Sequence, residues 1–234
     1  MIKIALFVEG QTESIFISEL IKQIFGENRV KIIIHKIQYS NDLIRTETLI
    51  TDRNEEYYFL IHNCGTDNKV KSNILENQHG LKQAGFKCII GLQDLYNPQR
   101  RKQGINNKRF QESINKDIPQ AIPSKINLAI QEIEAWFIAE ETHFQKISSY
   151  LTLEIINSII GFNIQLEDTE IIPHPSVVLD KIYKAGKRKN GYSKNQYAIS
   201  DVIAKLDYDN LYLTVRKRNN SLNELLTCLD GLIP

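Results

Sequence analysis

Five acidic residues follow three separate apolar segments of this 234-residue chain, and together they could hold a metal ion. The first two follow the apolar run at residues 2–8, a third follows a later run, and the last two follow another. They are Glu9 and Glu13, then Asp94, then Glu132 and Glu134. Carboxylate oxygens are the ligands that Mg²⁺ prefers, and a metal held by acids can activate water for phosphoryl transfer.

These acids can converge only if the apolar segments are parallel strands of one sheet. In open α/β sheets, ligands bind outside the carboxyl ends of the strands. We therefore expect the carboxylates of Glu9, Asp94 and Glu134 to come within reach of one cation. Each acid also has a simpler interpretation, such as capping a turn or stabilising a helix N-terminus through its dipole.

The first 140 residues alternate between short apolar runs and amphipathic segments, which is typical of an α/β fold. This pattern predicts a mostly parallel sheet of four or five strands, with helices on both of its faces. The expected strands are residues 2–8, 30–37, 57–61, 86–92 and 126–130. Residues 38–56 are polar, and their pattern predicts neither a helix nor a strand.

The strand pattern largely disappears beyond about residue 145. We therefore predict an α/β domain at residues 1–145 and a helical C-terminal region at 146–234. The expected helices in that region are residues 151–160, 175–185, 200–206 and 221–229.

The composition favours a soluble protein of the cytoplasm. Hydrophobic residues make up 42% of the chain and charged residues 24%, and no apolar run approaches the ~20 residues of a membrane span. Residues 2–8 are too short for a signal-peptide core. The three cysteines are widely spaced, which favours neither a disulfide framework nor a zinc site.

Positive charge is concentrated in two segments, although the formal net charge is only +1. Residues 181–218 contain ten lysines and arginines against three aspartates, and residues 96–116 contain six against one glutamate. Such segments suit a polyanion such as nucleic acid, although a solvated charged surface is the common alternative. The candidate phosphate-binding residues are Arg100, Arg101, Lys102, Lys187, Arg188 and Lys189.

Three features of the sequence resemble a known type of domain. Val-Glu-Gly-Gln-Thr-Glu at residues 8–13, the strand that ends in Asp94, and Glu-Ile-Glu-Ala-Trp-Phe at 132–137 resemble a Toprim domain. Within that group the chain is similar to a small prokaryotic family encoded beside ABC- or AAA-type ATPases. That family in turn resembles the nuclease half of the overcoming-lysogenization-defect (OLD) nucleases.

The resemblance implies roles for individual residues. Glu9 would be a metal ligand and the general acid/base, supported by Glu13. Asp94 would match the first aspartate of the Toprim Asp-x-Asp motif, and Glu134, with Glu132, would match later acidic ligands of Mg²⁺ or Mn²⁺. Lys194, in Gly-Tyr-Ser-Lys at 191–194, would match a lysine that stabilises the scissile phosphate.

One departure from the Toprim pattern leaves two hypotheses open. Tyr96 occupies the position of the second aspartate of Asp-x-Asp, and Asn97 follows it. The first hypothesis is a Mg²⁺-dependent nuclease of DNA or RNA, with Glu9, Asp94, Glu134 and Lys194 catalytic. It would serve anti-phage or abortive-infection defence with an ATPase partner. The second hypothesis is a degenerate Toprim-like module that docks nucleic acid or the ATPase without cutting.

Overall fold

The computed structural model of the protein describes most of the chain. For residues 37, 38 and 43–49 it describes the backbone alone. The described residues are 1–38, 43–49, 55–66, 69–95, 107–118, 121–187 and 191–233.

The described chain divides into two compact units. The first comprises residues 1–93 and 98–128, and the second comprises residues 94–97 and 129–234. These units are defined by which residues pack together. The boundary predicted after residue 145 was based instead on where the strand pattern of the sequence ends.

A six-stranded sheet dominates the first unit, with strand order β3-β2-β4-β1-β5-β6. The strands are β1 Ile2–Val8, β2 Val30–Gln38, β3 Leu43–Leu49, β4 Tyr57–Asn63, β5 Cys88–Asp94 and β6 Ser124–Ala129. All except β3 are parallel, so the predicted parallel α/β sheet is confirmed. Val8 pairs with both Asn63 and Leu92, which brings the carboxyl ends of β4, β1 and β5 to the same edge.

The central strand is apolar because helices cover both faces of the sheet. Residues 4–8 of β1 are all buried. On one face, Ala5 and Phe7 belong to a core cluster with residues of helix α2, Val70–Gln83. On the other face, Phe25 of helix α1, Gln11–Phe25, packs its ring 5.1 Å from that of Phe59.

The antiparallel edge strand β3 was not predicted from the sequence. It pairs with β2 from Ile32 opposite Leu49 to Gln38 opposite Leu43. Its sequence, Leu-Ile-Arg-Thr-Glu-Thr-Leu, contains charged residues that are typical of edge strands, where charges discourage association with other sheets. Those charges mask the weak alternation that would otherwise indicate a strand.

The second unit is helical, so the predicted helical C-terminal region is confirmed. The first unit contains a third helix besides α1 and α2. In the first unit, α3 is Asn107–Lys116. The α-helices of the second unit are α4 Glu134–Ala139, α5 His143–Ile147, α6 Leu153–Ile160, α7 Pro175–Ala185, α8 Gln196–Ile203, α9 Tyr208–Leu213 and α10 Asn220–Asp230. In the described part of the chain, no helix is long and apolar enough to cross a membrane.

Gly91 in β5 provides a test of the packing between β5 and β6. A Cβ at this position would lie 2.8 Å from Cγ1 of Ile126 and 3.2 Å from its Cα, so the strand cannot accept a methyl group without shifting. We expect Gly91→Ala to lower the free energy of unfolding by about 1–3 kcal/mol, measured by urea denaturation.

Gly80→Ala is the matched control for Gly91→Ala. Gly80 lies within α2, where a Cβ meets nothing within 4 Å. Alanine favours a helix over glycine by about 1 kcal/mol, so this variant should be as stable as the parent or more stable. Equal stability of the two variants would contradict the close strand contact.

Candidate functional site

Glu134 lies at the start of a helix that is completely buried. All six residues of α4, Glu134–Ala139, have 0% exposure. The sequence Glu-Ala-Trp-Phe-Ile-Ala is almost entirely apolar, which suits a helix surrounded by others rather than one at a surface. A carboxylate in such a place must be neutralised or hydrogen-bonded, because burying an isolated charge is costly.

Two residues of the segment 191–195 meet Glu134. The hydroxyl of Tyr192 donates a hydrogen bond of 2.8 Å to Glu134 Oε1, and Lys194 Nζ lies 3.1 Å from the same oxygen. The second oxygen, Oε2, is buried and has no hydrogen-bond partner among the described residues. Glu134 therefore has one satisfied oxygen and one that could accept a proton, a donor or a cation.

Lys194 also contacts a second acid, Glu132. Its Nζ donates to Glu132 Oε1 at 3.4 Å, so the ammonium group bridges the two glutamates. Glu132 is held from another direction, because it accepts hydrogen bonds from the backbone N–H of Ser176 at 2.9 Å and from its hydroxyl at 3.0 Å. Ser176 lies in the first turn of α7, where unpaired N–H groups favour an anionic partner.

Asp94, the last residue of β5, completes the acidic group of the second unit. Its Oδ1 accepts a hydrogen bond of 3.2 Å from the backbone N–H of Ile133, the residue between the two glutamates. The structure therefore brings Asp94, Glu132, Glu134 and Lys194 together within the second unit. These four residues form the acid–lysine cluster.

The charges of the cluster shift the pKa values of its members. Burial disfavours the charged form of Lys194, but Glu134, Glu132 and Asp94 outweigh it and raise the pKa of the lysine well above its usual value. Burial also raises the pKa of Glu134, although Lys194 and the Tyr192 hydroxyl act in the opposite direction. Lys194 is therefore firmly cationic.

A glycine fixes the path of the segment that carries Tyr192 and Lys194. Gly191 has φ of +51°, and a Cβ there would overlap Asp180 Oδ1, so the position requires glycine. The same Asp180 oxygen accepts a hydrogen bond of 3.0 Å from the backbone N–H of Tyr192. Asp180 lies in α7, and the segment 191–195 is thereby tied to that helix.

Glu9 and Glu13, predicted to share the metal, belong to the first unit. Glu9 follows β1. Burial, and after it the negative charge of Glu9, raises the pKa of the Cys64 thiol to about 12. Glu13 is 4% exposed in the first turn of α1, and a Cβ at Gly10 would lie 3.1 Å from its Oε2. That these two acids join Asp94 and Glu134 around one cation stays a prediction.

The donor chemistry of the acid–lysine cluster suits a hard cation. Glu134 Oε2 is a buried carboxylate oxygen with no partner among the described residues, and Asp94 and Glu132 add further carboxylates. However, no group of three acidic, histidine or cysteine side chains in the described chain is arranged to enclose a metal ion. The residues fit a Mg²⁺ or Mn²⁺ ion in kind, while the Lys194 ammonium supplies the positive charge between Glu132 and Glu134.

Five of the six predicted phosphate-binding residues lie outside the described part of the chain. These five residues are Arg100, Arg101, Lys102, Arg188 and Lys189. Tyr96, where the sequence departs from the Toprim pattern, is not described either. Lys187 is described and exposed. Its Nζ lies 3.9 Å from the centre of the Tyr150 ring, a cation–π contact.

Two residues that orient the acids, Tyr192 and Ser176, were not predicted from the sequence. Tyr192 stands in the same Gly-Tyr-Ser-Lys motif as Lys194, and this proximity was the available signal. For Ser176 the signal was weaker. It follows Pro173-His174-Pro175, a proline pattern that indicates a helix start and hence free N–H groups.

Comparison with known proteins places the chain in a family. The model of the family described as "Domain of unknown function (DUF4276)" matches residues 8–230. This chain belongs to the DUF4276 family. No curated protein matches it. A similar solved structure is that of "the putative cell surface hydrolase from Lactobacillus plantarum WCFS1", at 13% identity and a TM-score of 0.32, covering 93% of this chain and 98% of the other.

Tyr192→Phe tests whether the tyrosine hydroxyl is needed to keep Glu134 charged in the interior. Loss of this hydrogen bond should lower the free energy of unfolding at pH 7 by about 1–3 kcal/mol and raise the pKa of Glu134 further. As the pH falls through this raised pKa, Glu134 in the folded variant becomes protonated, and the cost of burying its charge without the tyrosine hydroxyl disappears. The difference in the free energy of unfolding between the variant and the parent should therefore become smaller as the pH falls.

Chemical denaturation between pH 5 and pH 8 measures this effect. Tyr197→Phe is the control, because the Tyr197 side chain is 89% exposed and should lose little on substitution. A Tyr192→Phe defect that is the same at every pH would show that the hydroxyl does not act through the charge of Glu134.

Proposed function

We propose that this protein is a Mg²⁺- or Mn²⁺-dependent nuclease that hydrolyses phosphodiester bonds in DNA or RNA. The observation that carries the proposal is the acid–lysine cluster. Two carboxylates of one segment, Glu132 and Glu134, contact Lys194, and Asp94 at the end of β5 binds the backbone between them. One oxygen of Glu134 is buried without a partner among the described residues. The Toprim resemblance of the two motifs that contain Glu9 and Glu134 supports the same assignment.

In this proposal Asp94, Glu132 and Glu134 would hold the cation in the second unit. The bound cation would lower the pKa of a water molecule and neutralise charge on the oxygens of the phosphate. Glu9 and Glu13 keep the roles that the resemblance implies, as a metal ligand with general acid/base function and as its support. Tyr96 stands at the position of the second Toprim aspartate, and Asn97 after it would supply a neutral oxygen in place of that charge.

The chain's own groups would orient the carboxylates and receive the phosphate. Ser176 holds Glu132 and Tyr192 holds Glu134, so both carboxylates have fixed positions before any ligand binds. The Lys194 ammonium is the cation of the cluster that can contact a phosphate oxygen and stabilise charge that develops there. The basic segments around Arg100 and Lys187 would follow the nucleic-acid backbone.

The biological setting of the proposal comes from the resemblance alone. Similar families are encoded beside ABC- or AAA-type ATPases, which suggests an effector of anti-phage or abortive-infection defence with an ATPase partner. Such an effector would act in the cytoplasm.

A binding module without nuclease activity is the second candidate. Two observations favour it. Tyr96 replaces the second aspartate of the Asp-x-Asp motif, and no three-ligand group is arranged for a metal in the part of the chain that the structure describes. Such a module would use its basic segments to dock nucleic acid or an ATPase.

Glu134→Gln separates the two candidates. Purified protein with Mg²⁺ or Mn²⁺ should degrade plasmid DNA or RNA, measured by gel electrophoresis and by release of labelled fragments. Glutamine keeps the oxygen that accepts the Tyr192 hydrogen bond but removes the charge. We therefore expect a rate loss of roughly a hundredfold or more while the protein stays folded.

Glu154→Gln is the control, because Glu154 is an exposed glutamate in α6 and should keep the parent rate. Glu9→Ala should abolish hydrolysis as well. If the parent protein, with each metal and each nucleic acid, is as inert as Glu134→Gln, the binding module is the correct function.

A further inference from the structure

We propose that the end strand β3 pairs with β3 of a second copy of this chain. The two strands are antiparallel, and Thr46 of one copy is opposite Thr46 of the other on a two-fold axis. The two six-stranded sheets then form one continuous sheet. The inference rests on the register and sequence of β3, and it does not depend on the proposed nuclease activity.

The two end strands of the sheet differ in how their outer edges are covered. At one end, Asn115 of α3 donates a hydrogen bond of 2.9 Å to the carbonyl of Ile126 in β6 and accepts one of 2.8 Å from its N–H. These contacts occupy the outer backbone groups that another strand would need. At the other end, β3 pairs with β2 on its inner side, and its outer edge is a template for a further strand.

The sequence of β3 is complementary to itself when it is reversed. Leu-Ile-Arg-Thr-Glu-Thr-Leu has a leucine at each end and oppositely charged residues on the two sides of its central Thr46. In an antiparallel pair centred on Thr46, Arg45 of each copy is opposite Glu47 of the other, and Leu43 is opposite Leu49. Opposite charges and apolar residues that face each other across two strands stabilise the pair.

The same two charges disfavour the neighbouring registers. Opposed residues in an antiparallel pair are both hydrogen-bonded or both not, so each residue can change its opposite number only by two positions at a time. A shift in one direction puts Arg45 opposite Arg45, and a shift in the other puts Glu47 opposite Glu47. Because like charges directly across from each other are destabilising, the charges that deter foreign sheets also select one register of self-pairing.

The pairing of β3 with β2 does not place a complementary charge across from either residue. Arg45 is opposite Lys36, and Glu47 is opposite Ile34. A second copy in the proposed register puts a glutamate across from Arg45 on its outer side and an arginine across from Glu47. The dimer therefore supplies the opposite charges that β2 does not.

The two-fold axis also sets the directions of the joined sheets. Since β3 is antiparallel to β2 in each copy, the parallel strands of the two copies run in opposite directions. The carboxyl ends of β1, β4 and β5 then lie at one edge of the joined sheet in one copy and at the opposite edge in the other. The dimer does not bring these two groups of strand ends together.

Charge reversal tests the inference by analytical ultracentrifugation of the full chain over a range of protein concentrations. The parent should form a weak dimer, since one pair of seven-residue strands buries little surface. Arg45→Glu and Glu47→Arg each put like charges opposite one another at two places in the dimer. Each should raise the dissociation constant about tenfold or more. Glu76→Arg, at an exposed position of α2, is the control and should leave it unchanged.

An equimolar mixture of Arg45→Glu and Glu47→Arg shows whether the loss comes from the proposed pairs. One copy then has two glutamates and the other has two arginines, so every charged pair between the strands is again of opposite sign. The mixture should dimerise about as tightly as the parent, although neither variant does so alone. A parent that stays monomeric at every concentration, or a mixture that dimerises no better than its components, would overturn the inference.

Thr46→Cys gives a second measurement that does not depend on charge. Because position 46 is opposite itself, a mild oxidant should link two copies of this variant by a disulfide bond, beyond any link that the parent forms. Thr48→Cys is the control, since its two copies would lie about 14 Å apart along the strands, too far for a disulfide. Equal linkage at positions 46 and 48 would overturn the proposed register.

Discussion

Burial of the Glu134 carboxylate is the constraint that organises the second unit. The helix it begins is completely enclosed, so its charge cannot be solvated by water and must be met by the protein. Tyr192 and Lys194 meet one oxygen, and the other has no partner among the described residues. The free oxygen is therefore the place in this buried group where a proton, a donor or a cation can bind.

The need to reach Glu134 explains the conformation of the segment that carries its partners. Gly191 adopts a left-handed conformation beside Asp180, and Asp180 in turn binds the Tyr192 backbone, which directs the tyrosine ring into the interior. The Tyr192 ring packs edge-on against Tyr183, whose hydroxyl lies 3.0 Å from Nε2 of the buried His143. The polar group at Glu134 is thus supported by a second layer of buried side chains, of the kind that keeps functional groups within a narrow range of positions.

The sequence predicted the parallel sheet well because β1 and its neighbours are short, apolar and separated by helical patterns. It also indicated the acids at the strand ends, since a residue after an apolar strand can be identified without knowing the tertiary structure. The edge strand β3 lacked that signal because its sequence is polar. The contacts of Ser176 with Glu132 and of Tyr192 with Glu134 join residues 44 and 58 positions apart, and no local pattern encodes such pairs.

The central claim is that the carboxylates of the second unit form a divalent-cation site, and anomalous diffraction from crystals soaked in Mn²⁺ tests it most directly. The account predicts an anomalous peak within bonding distance, ~2.1–2.2 Å, of a Glu134 carboxylate oxygen, with Asp94 or Glu132 beside it directly or through water. Strong Mn²⁺ peaks elsewhere on the protein, with none at these carboxylates, would contradict the proposed site.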